Sequence, residues 1–148
     1  GVLSRVEVMS RYEVIIEHYA KVLHIEAMTM LEMANKQLIP AATAYMSDVA
    51  SAAAAQMAVS EKLSCKAENK VLEKLSAATD AMSDAVDALD AAVESAESET
   101  DSLEKAKAYR DKVLPAMADL RTNADAAEVV CGEDYWPLPS YSKMLYYV

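Results

Sequence analysis

The 148-residue sequence contains two glycines, no phenylalanine and two cysteines. With so little glycine, few turns that need a positive φ can be built, and a sheet-rich fold is nearly excluded. Cys65 and Cys131 are too few for a disulfide framework, and their separation fits no zinc-site spacing. They read as inert, partly buried thiols of a reducing cytosol. Basic residues are scarce as well: 14 Lys and Arg face 24 Asp and Glu, for a net charge of −10. Phosphate contacts need a basic face, so a nucleic-acid partner is excluded, and an anionic membrane would repel the chain. Long apolar runs are missing too. The uncharged stretches Gln37–Ser47 and Val49–Ser60 fall short of the roughly 18 residues of a membrane span. The opening GVLSRVEVMSRYE carries charges where a signal peptide is apolar. A soluble, cytoplasmic protein is expected. Its first residue is Gly1 rather than Met, which suggests a piece of a longer protein.

What is abundant is alanine, 28 residues of it, alongside Leu, Met, Glu and Lys, a composition that favours helix. Four helices are predicted, at about 4–37, 40–64, 67–98 and 101–131. The first opens on Ser4-Arg5-Val6-Glu7, a capping box, with Val8, Tyr12, Ile15, Tyr19, Val22, Met30 and Leu31 along one side. Glu7/Arg11, Glu17/Lys21 and Glu32/Lys36 are i,i+4 pairs in the favourable order. Pro40 either kinks the rod or occupies the first turn of the second helix, where Ala42, Tyr45, Val49, Ala52, Val59 and Leu63 recur. In the third, Leu72, Leu75, Thr79, Met82, Val86, Leu89, Val93 and Ala96 alternate spacings of three and four, a heptad seam suited to knobs-into-holes packing. Asp101 and Glu104 form another capping box ahead of Leu103, Ala106, Val113, Met117, Leu120, Ala124 and Ala127. Pro115 predicts a kink, and Gly132 suits the left-handed residue after a helix end.

From residue 133 to 148 the chain changes character. Pro137 and Pro139 predict an extended path, and five of the nine aromatics lie here. Trp136 is expected to anchor this tail. The predicted fold is therefore all-α: an elongated up-down-up-down four-helix bundle, a single helical domain, with an extended aromatic and Pro-rich C-terminal tail.

Chemistry is thinly represented. A di-iron site needs Glu-x-x-His on two helices, but three residues before His18 and His24 stand Ile15 and Lys21. The two histidines are six apart and share no face as metal ligands would, so they are read as solvated or structurally bonded. Between Glu73 and Glu104 ten acids face one base, Lys74. Asp80, Asp84, Asp87, Glu94 and Asp101 recur at helical spacing, and read as a solvated face, or else as a docking surface for a basic partner or a weak divalent-cation site. The nine methionines are read as core filling. No phosphate loop or activated nucleophile is recognisable. No catalytic, cofactor-binding or metal-binding residue is expected, and no cofactor in this stretch.

The chain nevertheless resembles a known family. Ser10-Arg11-Tyr12-Glu13, Ile25-Glu26, Ile39-Pro40 with Tyr45, Tyr109-Arg110 with Pro115, Arg121 with Ala124-Asp125, and Trp136-Pro137-Leu138-Pro139 with Tyr141 resemble, in order and spacing, the C-terminal region of type III glutamine synthetases. Between about Ala50 and Leu103 the match is mainly in helical character. The resemblance implies a parent enzyme that makes glutamine from glutamate and ammonia with ATP and magnesium or manganese. It implies a dodecamer of two hexameric rings, with the catalytic ligands upstream in a β-rich domain. This stretch would be a non-catalytic accessory domain with a structural, assembly or regulatory role. Its partners would be the rest of its own polypeptide and sister subunits. The alternative is an autonomous helical adaptor that binds a protein through the acidic stripe or the aromatic tail.

Overall fold

The computed structural model describes residues 2–60, 63–139 and 141–146, without the side chains of Tyr141 and Ser142. Among these residues there is no strand, as the composition requires. The elements are α1 (Arg5–Met33), a π turn (Ala34–Leu38), α2 (Ile39–Val59), α3 (Lys66–Glu97), α4 (Ser102–Ala108), a second π turn (Tyr109–Val113), α5 (Leu114–Glu128) and α6 (Tyr141–Tyr146). Counted as unbroken rods these are four helices, because each π turn joins its neighbours without a gap.

The two π turns explain both internal prolines. In an α-helix a proline ring collides with the carbonyl four residues back and supplies no N–H. Here Ile39 N–H bonds to the Ala34 carbonyl and Leu114 N–H to the Tyr109 carbonyl, each reaching five residues back, with proline following immediately. The wider turn makes room for the ring. The expected segments 4–37 and 40–64 therefore run on as one rod from Arg5 to Val59, and Pro40 sits in the first turn of α2. That rod stops at Val59, and Glu61 and Lys62 of the expected second segment lie outside the described residues.

The first capping box is realised in full and the second only on its Asp101 side. Ser4 N–H donates to Glu7 Oε2 at 2.7 Å while Glu7 N–H returns to Ser4 Oγ at 3.3 Å. Asp101 Oδ1 accepts from Leu103 and Glu104 N–H, both at 3.0 Å; the Glu104 carboxylate turns instead to Lys107.

Contacts divide the chain into two compact units, Gly1–Glu32 with Ala85–Leu120, and Met33–Asp84 with Arg121–Val148. In the first, the buried residues include Ala20, Leu23, Ala27 and Leu31 of α1, Val86, Leu89, Val93 and Ala96 of α3, and Tyr109 and Val113. In the second they include Leu38, Ala42, Ala53, Leu75, Met82, Leu120's successors Ala124 and Ala127, and Trp136. The α3 seam is buried from Leu75 to Ala96 as its periodicity predicts, and the Thr79 hydroxyl within it is satisfied by the Leu75 carbonyl at 2.7 Å.

The α1 stripe meets expectation only at its end, where Leu31 is buried and Met30 half-buried. Alanine and leucine line the buried face, whereas Val8, Tyr12, Ile15, Tyr19 and Val22 are all between 37% and 67% exposed. The buried face begins only at Ala20, and residues 2–15 are exposed on every side. The larger stripe lies about a quarter-turn around the helix.

Gly132 is also used differently. α5 ends at Glu128, and Gly132 has no positive φ. A Cβ there would come within 3.1 Å of Tyr45 Cε2, so glycine serves close approach of a ring. The one described positive φ outside glycine belongs to Cys65, at 43°, just before α3. In the tail, residues 132–139 are non-helical, but α6 interrupts the expected extended path; Ser140, Tyr147 and Val148 lie outside the described residues. Trp136 is buried, while Met144, Leu145 and Tyr146 are exposed.

Candidate functional site

The densest polar constellation lies within the first unit, where α1, the end of α3 and the α4 rod meet. Tyr109 opens the second π turn and is completely buried. Its hydroxyl lies 2.6 Å from Glu97 Oε1 and 2.8 Å from His24 Nδ1. The ring meets the imidazole edge to face, with centroids 6.2 Å apart. Lys105 Nζ reaches Glu97 Oε2 at 3.3 Å, and His24 Nδ1 is 3.8 Å from Glu97 Oε1.

Proton positions follow from the donor inventory. An ionised carboxylate only accepts, so the single phenolic hydrogen goes to Glu97. The Tyr109 oxygen then accepts, and His24 Nδ1 carries the hydrogen that fills the contact. In the neutral ring this leaves Nε2 as the basic nitrogen. The hydrogen bond from Tyr109 holds the Glu97 carboxyl below its usual range, helped by Lys105. Burial, then the Glu97 carboxylate, pushes the Tyr109 phenol upward, so it remains a donor.

A cavity of about 420 Å³ adjoins this network. Glu17, Lys21 and His24 border it from α1, Glu97 from α3, and Ser102 and Lys105 from α4. Glu17 and Lys21, one of the expected i,i+4 pairs, stand 3.6 Å apart. The arrangement can accept a small polar molecule; it has no nucleophile with an adjacent base.

His24 is thus structurally bonded, and His18 is exposed on α1. Of the expected acidic stripe, Asp80, Asp84, Asp87 and Glu94 are exposed on α3, in keeping with a solvated face, whereas Asp101 lies beyond that helix and caps α4. Among the described residues no cluster of three or more His, Cys, Asp or Glu could hold a metal ion, and no helix is long and apolar enough to cross a membrane. Both cysteines are free and buried. Burial raises the Cys131 thiol, whereas Cys65 Sγ is 3.6 Å from Gln56 Oε1. Sequence reasoning did not find the Tyr109–Glu97–His24 network. Its members are 12 and 85 residues apart, and no local spacing links them.

In the second unit, the tail is tied to α2. Tyr135 donates its hydroxyl to the Asp48 carboxylate, which raises the phenol, and its ring packs against Tyr45 with centroids 5.0 Å apart. Trp136 Nε1 is buried with no hydrogen-bond partner.

Comparison with known proteins agrees with the resemblance read from the sequence. Residues 1–57 match the model of the glutamine synthetase C-terminal domain. Nearly the whole chain, 99% of it, is 35% identical to a glutamine synthetase of Butyrivibrio fibrisolvens over 146 residues, 21% of that protein. It is 26% identical to a type-3 glutamine synthetase of Dictyostelium discoideum over 150 residues, covering 99% of this chain and 20% of that one. It is 24% identical to a glutamine synthetase of Bacteroides fragilis over 149 residues, covering 98% of this chain and 20% of that one. The chain spans about a fifth of the length of the curated relatives it matches.

Proposed function

We propose, on the premise that a chain similar from end to end to glutamine synthetases and matching their C-terminal domain is that part of a type III enzyme, that it is a non-catalytic docking and assembly domain. The parent would join ammonia to glutamate at the expense of ATP with magnesium or manganese, as a cytoplasmic oligomer, and this part would supply none of the ligands. Its partners would be the remainder of the polypeptide and sister subunits.

The observation that carries this reading is the uncovered side of α1. Val8, Tyr12, Ile15, Tyr19 and Val22 follow spacings of four and three, the signature of a packed helix seam, yet all are exposed. They lie inside the stretch that matches the glutamine synthetase C-terminal domain. A seam of this kind is an interface awaiting its other half, and the remaining four-fifths of each relative's length offers that half.

The test uses the full-length enzyme. Ile15→Asp combined with Tyr19→Asp is expected to lower its sedimentation coefficient or its thermal stability, while the 148-residue chain alone forms no glutamine from glutamate, ammonia and ATP. A full-length double variant with unchanged assembly and melting would remove the docking role. Glutamine formation by the chain alone would overturn its non-catalytic assignment.

A further inference from the structure

We propose that the cavity beside His24 binds a free α-amino acid in its zwitterionic form, with the ammonium group toward Glu97 and the His24 imidazole and the carboxylate toward Lys21 and Lys105. The inference needs only the geometry of the first unit and is independent of what covers the α1 seam.

Four features lead to it. The volume, about 420 Å³, falls within the roughly 300–1,000 Å³ of small-molecule sites. The bordering charges are two ammonium groups, Lys21 and Lys105, and two carboxylates, Glu17 and Glu97. Such a border gives a net anion or a net cation one attractive and one repulsive pair, whereas a dipolar ion meets complementary charge at both ends. Third, the imidazole presents a fixed face. Tyr109 engages Nδ1 at 2.8 Å, so in the neutral ring Nε2 is the acceptor, which an N–H donor on the ligand satisfies and a carboxylate does not. Fourth, Ala20 and Ile25 supply an apolar wall, and Ser102 a hydroxyl, on the same cavity. A side chain of modest size can lie against the apolar wall while Glu97, Lys21 and Lys105 hold the charged end.

The network has the build of a positioned site. Each polar member is held by another: Glu97 by Tyr109 and Lys105, His24 by Tyr109. Removing a phenol from water beside a carboxylate costs free energy that an apolar residue would not. Its return is a histidine with one defined tautomer beside open space.

The test is an amide-shift titration of the 15N-labelled 148-residue chain with glycine, L-alanine and L-glutamine, with acetate and methylamine as single-charge controls. At least one amino acid is expected to give saturable shifts confined to residues around 17–25 and 97–105, and each control to bind at least roughly tenfold more weakly. His24→Asn and Lys105→Met should each weaken the response by about tenfold. Tyr109→Phe, which fills the same volume, should weaken it with the folded spectrum retained. Absence of saturation by all three amino acids up to about 50 mM, far above the millimolar range of weak small-molecule sites, would overturn the proposal. So would equal binding of acetate or methylamine, which would mark a simple ion site, or an unchanged response in both His24→Asn and Lys105→Met.

Discussion

Tyr109 and His24, separated by 85 residues in sequence, are joined by a 2.8 Å hydrogen bond at which the phenol accepts from Nδ1. The bond exists because Glu97, at 2.6 Å, takes the phenolic hydrogen. One oxygen atom thereby ties α1 to the end of α3.

Tyr109→Phe should destabilise the chain by about 1 kcal/mol, since the carboxylate and imidazole both reach solvent and recover part of what they lose. The pH dependence is the sharper measure. The folded-state Glu97 carboxyl is held down by Tyr109, so its contribution is present above the unfolded Glu value and is lost as pH falls through the folded one. Urea unfolding at several pH values should show a shallower acid loss for Tyr109→Phe than for the parent. Parallel curves would show that the hydrogen bond does not set the Glu97 ionisation.

Pro115→Ala should leave stability within about 1 kcal/mol, because the π turn has already relieved the ring's collision with the helix. A proline in an unrelieved helix interior costs about 3 kcal/mol relative to alanine. Thermal melts of the two proteins decide the matter: recovery of that larger amount in Pro115→Ala would mean that the turn gives no relief.

Trp136→Ala should cost about 3–5 kcal/mol, the range for a large buried aromatic. Trp136→Phe should cost less than half as much, because Nε1 has no partner to lose. The protein's single tryptophan also reports its own surroundings. Its emission is expected at short wavelength in the native state and to shift red on unfolding. A native spectrum typical of exposed indole would contradict its burial.

Leu89→Ala and Ile15→Ala contrast the two apolar seams. Leu89 is completely buried and should cost about 2–5 kcal/mol in equilibrium unfolding of the 148-residue chain. Ile15 is 67% exposed and should change stability by no more than about 0.5 kcal/mol there. A large loss at Ile15 in this chain would mean that its seam is already packed.

The heptad of α3 was legible because Leu, Met and Val marked most seam positions, and the two helix starts because a few neighbouring residues sufficed. α1 misled because its burial begins only at Ala20 and is shared equally by alanine and leucine, while residues 2–15 are exposed on every side. A periodicity search weights Val8, Ile15 and Tyr19 above Ala20 and Ala27, although the smaller pair allows the closer helix approach. The π turns left only their prolines as a sign, and a proline cannot distinguish a kink, a first turn or a wider ring. Gly132 was recognised as constrained, but the constraint is the Tyr45 ring, which lies 87 positions away in the chain. The polar network of the candidate site depends on residues brought together by tertiary packing, and no local pattern encodes it.

The paired π turns bear on how such a chain can change length. A π turn amounts to one residue inserted into a helix, and losing it turns every following side chain by about 100° while restoring ordinary α geometry. In both rods the next residue but one after the turn is proline, and restored α geometry is what its ring opposes. Each insertion is guarded against simple deletion: shedding the extra residue first requires replacing the proline, so the order of the two events, rather than either alone, governs reversal.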